Sequence, residues 1–169
     1  MGDMVGIRPE APPDLAAIHA VHLAAFPTDA EARLVDTLRD AGRLTISLVA
    51  VVEEGVVGHV AFSPVTVDTI VGGLGLAPIG VLPAFQQRGL GSRLIADGLA
   101  HARSLRVPFV VLLGAPAYYA RFGFGPASAV GLRDEYGGGP AFQVIELMES
   151  AIPRDGGLVR YAPEFALFE

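Results

Sequence analysis

The sequence predicts an α/β (α+β) protein: one mixed β-sheet with helices on its faces. Three observations carry this. The 169-residue chain is 51% hydrophobic and only 18% charged, which is enough apolar material to close a core without staples. Its hydrophobic pattern changes from strand-length apolar runs to a helical repeat and back again. The resulting order, β-α-α-β-β-β-α-β-α-β-β, is that of a sheet whose strands are interrupted by crossing helices.

Val5–Pro9 predicts a short first strand. Pro12 and Pro13 then precede Asp14, placed as a helix N-cap, and Leu15, Ile18, His19, His22 and Phe26 follow at helical spacing until Pro27. A second helix is expected over residues 32–41, with Leu34, Val35 and Leu38 on one face and Gly42 just beyond its end. Residues 45–53 and 56–68 read as strands joined by a turn at Glu54-Gly55, and residues 74–82 as a third, closed by Pro83. Leu90, Leu94, Ile95, Leu99, Ala102 and Leu105 recur every three to five residues, an amphipathic helix of about four turns. Phe109–Leu113 is a continuous apolar run, as in a strand buried on both faces. A short helix over 116–122 should end at Gly123, with tail strands at 127–131 and 142–148 and a flexible loop at Gly137-Gly138-Gly139.

Composition removes several classes of function. The chain has no cysteine, hence no disulfide framework, thiolate nucleophile or Cys-based metal site; a reducing, cytoplasmic setting fits. A net charge of −6 argues against nucleic acid as a partner and is compatible with a cationic substrate. Asp3, Arg8 and Glu10 break any targeting pattern, and runs such as 44–52 are far too short to span a membrane. No metal is expected: His19 and His22 nearly share a helix face but lack a third ligand, and they read as helix-surface or boundary residues.

The most informative stretch is Val81-Leu-Pro-Ala-Phe-Gln86-Gln-Arg-Gly89-Leu-Gly91-Ser92, which runs from a strand through a tight turn into a helix. Gly89 and Gly91 let backbone amides approach a ligand, the helix's first turn offers free N–H groups and the positive end of its dipole, and Arg88 and Arg93 add charge. A P-loop needs Lys before its Ser or Thr, but Gly91 is followed by Ser92-Arg93; a dinucleotide fingerprint needs a third small residue where Leu94 stands. ATP and NAD are thereby disfavoured. From the glycines alone, the turn reads equally as a diphosphate cradle or as an unliganded strand-to-helix joint.

Gln86-x-x-Gly89-x-Gly91, with Val81-x-Pro83 ahead of it, resembles the acyl-CoA motif of the GNAT acetyltransferase family; Tyr119-Ala-Arg-Phe-Gly123-Phe124 resembles that family's Tyr-x-x-x-Gly-Phe segment. Both fall in the family's order and spacing. Tyr118-Tyr119-x-Arg121-Phe122-Gly123-Phe124 and Arg160-Tyr161 are similar to its bacterial YhbS-type subgroup. The resemblance implies a single GNAT domain over residues 1–169, with a core of about 5–148 and a C-terminal extension. The implied sheet has about seven strands, helices on both faces and a splay between strands 4 and 5. It further implies acetyl-CoA as acyl donor, with its diphosphate on Gln86, Gln87, Arg88, Gly89, Leu90, Gly91 and Ser92 and its pantetheine along Ile79, Val81 and Leu82. The acetyl group would pass to a small-molecule amine or a protein amino group by direct attack on the thioester, an amide near 79–81 stabilising the oxyanion. Dimers are common in the family, which leaves a homodimer open. A non-catalytic acyl-CoA sensor on the same scaffold is the alternative.

Tyr119 matches the family's general acid. A thiol ionises near pH 8.5 and a tyrosine near about 10, so tyrosine can hand its proton to the departing thiolate. Tyr118 reads as an aromatic packing partner. The general base stays open, because the segment 74–81 lacks the glutamate that many relatives carry there. Glu31, expected in the loop between the first two helices, is the first candidate; His59, Asp68, Glu146 and a water relay are the others. The Asp134-Glu135-Tyr136 segment reads as a solvated loop.

Overall fold

The structure, a computed structural model, describes residues 4–53 and 55–168, so Glu54 of the expected hairpin turn lies outside the described residues. The chain folds as two compact units. Strands β3 (Gly55–Val67) and β4 (Ile70–Val81) and helix α3 (Leu90–Ser104) each contribute residues to both.

The first unit holds residues up to 62, then 77–99 and 163–168. Strand β1 (Val5–Pro9) pairs antiparallel with β2 (Ile46–Val52), from Val5↔Val52 to Pro9↔Leu48. β2 pairs in turn with β3, from Ile46↔Phe62 to Val52↔Gly55, with an irregularity between Ala50 and Val51. β2 and β3 are buried along most of their length, as their apolar runs suggest, and only β1 shows a partial alternation of half-buried and exposed residues. Helices α1 (Leu15–Ala25) and α2 (Ala30–Asp40) supply the other side of that core, where Ile18, Val35 and Val49 are fully buried under Leu44, Val51 and Val56. Asp14 stands at the N-cap position of α1, as expected, but its side chain makes no capping hydrogen bond to that helix. The two prolines start a 3₁₀ turn, Pro12–Asp14. The Asp14 carboxylate there accepts a fork from Arg8 at 2.7 and 3.0 Å and the Ala11 N–H at 2.7 Å. The residue therefore ties β1 to the start of α1.

The second unit holds residues 63–76 and 100–162. Leu74 and Gly75 of β4 pair in parallel with Val110 and Val111 of β5 (Phe109–Leu113), only two of the 12 residues of β4. β5 pairs antiparallel with β8 (Phe142–Glu146), which also carries the two-residue β6 (Gly125–Pro126). The short helix α4 (Pro116–Tyr119) runs into a 3₁₀ turn, Ala120–Phe122, and ends at Gly123 with φ of 101°.

Two features of the tail differ from expectation. Residues 127–131 are not a strand: Ala127–Val130 is a 3₁₀ turn closed by Gly131 at φ 80°. Only Ala127 of that turn is buried, so no alternating face existed to hold it in a sheet. Instead β7 (Leu132–Asp134) pairs in parallel with β9 (Gly157–Arg160), and β9 pairs with the end of β3 through Thr66↔Arg160 and Val67↔Val159. The described residues form nine strands of one mixed sheet, where about seven were expected.

Candidate active site

In the first unit β4 ends at Val81, and the Leu82 N–H donates to the Val57 carbonyl at 2.8 Å, anchoring the chain as it leaves the sheet. A 3₁₀ turn, Pro83–Phe85, follows. Ile79, Val81 and Leu82 are half-buried along this exit. Gln86 is exposed and its amide nitrogen reaches back to the Val81 carbonyl at 2.9 Å, stapling the turn to the strand end. Gln87 and Gly89 both adopt left-handed φ, 63° and 80°. A Cβ at Gly89 would meet nothing within 4 Å, so the backbone here faces open space. Arg88 is exposed, lying over the Phe85 ring at 5.2 Å. Helix α3 starts at Leu90, which is buried and fixes the helix to the core, while Gly91 and Ser92 are half-buried in its first turn. The first ladder bond runs from the Arg93 N–H to the Gly89 carbonyl at 3.1 Å, so the amides of Leu90 and Gly91 precede the ladder. This turn suits a diphosphate: Gly89 borders open space, the amides of Leu90 and Gly91 precede the ladder at a helix's positive end, and the Arg88 guanidinium is exposed beside them.

In the second unit Tyr119 lies at the end of α4, half-buried among Tyr118 at 4.9 Å, Phe124 at 5.9 Å and Phe122 at 6.3 Å between ring centroids. Burial, then the neighbouring Tyr118, pushes its pKa above the ordinary tyrosine value. A Cβ at Gly114 would overlap the Tyr119 ring, so glycine just after β5 is what lets the tyrosine settle there. Tyr118 is an aromatic packing partner, with Arg121 over its ring at 4.6 Å.

The candidates for a base separate clearly. Glu31 is not in a loop but in the first turn of α2, because that helix starts two residues earlier than its apolar spacing suggests. Its Oε1 is buried without a hydrogen-bond partner among the described residues. Asp68 and Glu146 are occupied as loop anchors, accepting the backbone N–H of Leu158 at 3.0 Å and of Ala151 at 2.9 Å. Asp134 and Glu135 likewise hold backbone, the first at Tyr136 and Gly138, the second at Tyr161.

His59 is fully buried and belongs to a chain of polar groups that sequence reasoning missed. The register places Val49 opposite His59, so Ser47, two residues along, shares their face. Its Oγ lies 2.8 Å from His59 Nε2. Beyond β1, the Glu10 N–H continues the ladder to the Ser47 carbonyl at 2.9 Å, and the Ser47 hydroxyl donates to the Glu10 carboxylate. Arg39 grips that carboxylate with Nε at 2.8 Å and a terminal nitrogen at 3.0 Å. On the other side His59 Nδ1 lies 2.8 Å from Nε2 of His22. His22 was expected on the helix surface or its boundary; it is fully buried, because α1 turns Ile18, Val21 and His22 inward together. His19 stays half-buried and meets Asp36 at 2.8 Å. The sequence signal was faint: Ser47 among apolar neighbours and a histidine at a core-facing helical position. Among the described residues, no group of three or more His, Cys, Asp or Glu could hold a metal ion.

Comparison with known proteins identifies the family. The acetyltransferase (GNAT) family model matches residues 15–124, covering both the glycine turn and Tyr119. The uncharacterised N-acetyltransferase YhbS of Escherichia coli K12 is 42% identical over 165 residues, 96% of this chain and 99% of its own. The crystal structure of E. coli YhbS in complex with CoA superposes with a TM-score of 0.94 at 40% identity, covering 100% of this chain and 96% of that one. A GNAT family acetyltransferase from Brucella melitensis in complex with acetyl-CoA gives 0.82 at 38% identity, covering 97% and 99%. With motifs, fold and near-full-length relatives in agreement, the chain belongs to the GNAT family of acetyltransferases.

Proposed function

We propose that this N-acetyltransferase takes its acetyl group from acetyl-CoA and delivers it to an amine by direct attack on the thioester. The observation that carries the reading is the turn at residues 86–92, where left-handed Gln87 and Gly89 open the backbone at the start of α3 without a side chain in the way. Relatives of near-identical fold bound to CoA and acetyl-CoA support it. In this reading Gln86 to Ser92 receive the diphosphate, and Ile79, Val81 and Leu82 line the pantetheine. The C–N bond forms as the amine attacks, the C–S bond breaks, and the thiolate takes the Tyr119 proton. The raised pKa of Tyr119 keeps that proton in place at neutral pH until the sulfur needs it. An excess of acidic groups suits a cationic acceptor, such as a polyamine, an aminoglycoside, or a peptide amine. A cysteine-free chain, with no described helix long and apolar enough to cross a membrane, is in keeping with a cytoplasmic enzyme.

Two measurements test this. Acetyl-CoA at a hundredfold excess over its Kd should stabilise the fold by about 2.7 kcal/mol, raising Tm by several degrees where ATP and NAD do not. A thiol-release assay should then find turnover with at least one of spermidine, kanamycin, free amino acids, a peptide with a free N-terminus and a lysine-containing peptide. Stabilisation by NAD or ATP instead of acetyl-CoA would overturn the reading; acetyl-CoA binding without turnover across the panel would favour the sensor.

A further inference from the structure

Glu10, Ser47, His59 and His22 form one hydrogen-bonded line whose direction is set at its carboxylate end. Burial works to raise the Glu10 pKa, but the bonds from Arg39 and Ser47 outweigh it and hold the carboxylate ionised. An ionised carboxylate only accepts. The Ser47 hydroxyl therefore gives its one hydrogen to Glu10 and must accept from His59 Nε2. His59 then carries its proton on Nε2, and its Nδ1 lone pair accepts from His22 Nε2–H. His22 is left with a bare lone pair on Nδ1, buried and without a hydrogen-bond partner among the described residues. Desolvation, then His19, lowers the His22 pKa to about 4, and burial takes His59 well below its ordinary value, so both rings are neutral at neutral pH.

The bare nitrogen faces β4 at Gly80. A Cβ there would lie 2.9 Å from His22 Nδ1 and 3.4 Å from the Phe26 ring, so only glycine lets the strand pass without covering it. Phe26 stacks on the His22 ring at 5.9 Å and 15°. The charged and titratable groups around this line are His19 of α1, Asp36 and Arg39 of α2, and Asp14 near Glu10.

We propose that His22 Nδ1 takes the proton that the acceptor amine loses, and that His59, Ser47 and Glu10 are the positioning residues that relay it; the inference rests on the acetyl-transfer reading above. Nδ1 is buried, so Phe26 or β4 at Gly80 must give way as the substrates bind; the amine nitrogen then bonds to the thioester carbon, its N–H bond breaks and the proton joins Nδ1. The Nε2 proton of His22 moves to His59 Nδ1, the Nε2 proton of His59 to Ser47 Oγ, and the Ser47 hydroxyl proton to Glu10. One proton enters, one reaches the carboxylate, and no imidazolium persists in the buried site. When the product leaves, the line run backwards discharges the proton from Nδ1 and restores the starting tautomers. Glu31, the first candidate from the sequence, has an Oε1 with no hydrogen-bond partner among the described residues and so no such relay behind that atom.

The first test needs no substrate. Nitrogen NMR of histidine-labelled protein should show protons on Nε2 of both His22 and His59, and Glu10→Gln should disturb that pattern at both rings. The second uses whichever amine of the panel above turns over. Ser47→Ala and His22→Gln should lower kcat roughly 10- to 100-fold and diminish its solvent isotope effect, with KM and the thermal shift for acetyl-CoA preserved. Ser47→Thr should restore most of the loss. A proton found on His22 Nδ1, or full kcat in Ser47→Ala, overturns the relay while acetyl transfer stands. An unaltered protein that acetylates no amine of the panel removes the transfer reading, and the relay with it.

Discussion

Burial acts on Tyr119 and His22 in opposite senses because it always disfavours the charged form. The phenol is pushed above its ordinary value and keeps its proton; the imidazole is pushed down to about 4 and refuses one. In the proposed mechanism the phenol supplies a proton, and the neutral imidazole, a weak base at about 4, receives one only because the line behind it carries it on. Replacing Tyr119 by Phe keeps the ring and its contacts with Tyr118 and Phe124 but removes the proton. A general acid contributes about 10²–10⁴-fold, so kcat should fall by about 10²-fold while KM for acetyl-CoA stays within about twofold. Steady-state kinetics at saturating amine decide it; an unchanged kcat would strip Tyr119 of its role. The place of Tyr119 at the end of a short helix before Gly123 was legible in the sequence because that spacing is local. His22 was not, since helical spacing shows which face a residue shares but not whether a partner such as His59, 37 positions away, waits across it.

At the scale of elements, the joint between β4 and α3 makes the corresponding case for binding. Gly89 holds φ of 80° with open space where a Cβ would stand. Gly89→Ala therefore meets no clash but places an L-residue in the left-handed region, at a cost of about 1 kcal/mol. The methyl would also intrude on whatever the turn receives. The expected kinetic signature is the converse of that for Tyr119→Phe: a raised KM for acetyl-CoA with kcat largely kept once donor saturates. Loss of kcat alone would move the turn from donor binding to chemistry. This joint could be read from sequence because its strand ending, glycine spacing and helical repeat are all contiguous. β7 and β9 could not, because three- and four-residue strands have too few alternations to show a period, and their pairing partners are distant in the chain.

For the whole molecule, the same buried groups tie stability to pH, with the sign fixed by linkage. His22 accepts a proton near 6.5 when unfolded but only near about 4 when folded, so between those values the unfolded chain binds more protons. Stability contributed by keeping His22 neutral is fully present above the unfolded value and is lost as pH falls toward the folded one. At about 1.4 kcal/mol per pH unit the loss is on the order of 3 kcal/mol, and His59 acts in the same direction. A second loss follows at lower pH. Asp14 is held down first by the Arg8 fork, against burial, and Glu10 is held down by Arg39 and Ser47 despite its own burial. Both depressed carboxylates add stability above the ordinary carboxylate range of about 4 that disappears as pH falls through their folded values. Urea titrations from pH 8 to 3 should therefore show stability dropping first between about pH 6.5 and 4, then again below about 4. His22→Gln should flatten mainly the first drop. Asp14→Asn should cost about 1 kcal/mol at pH 7, as suits a half-exposed Arg pair, and converge on the unaltered protein as pH falls through the lowered folded value of Asp14. A curve flat from pH 7 to 5 would mean that the buried histidines take up protons in the fold as readily as in the unfolded chain, and the tautomer line from Glu10 to His22 would have to be abandoned.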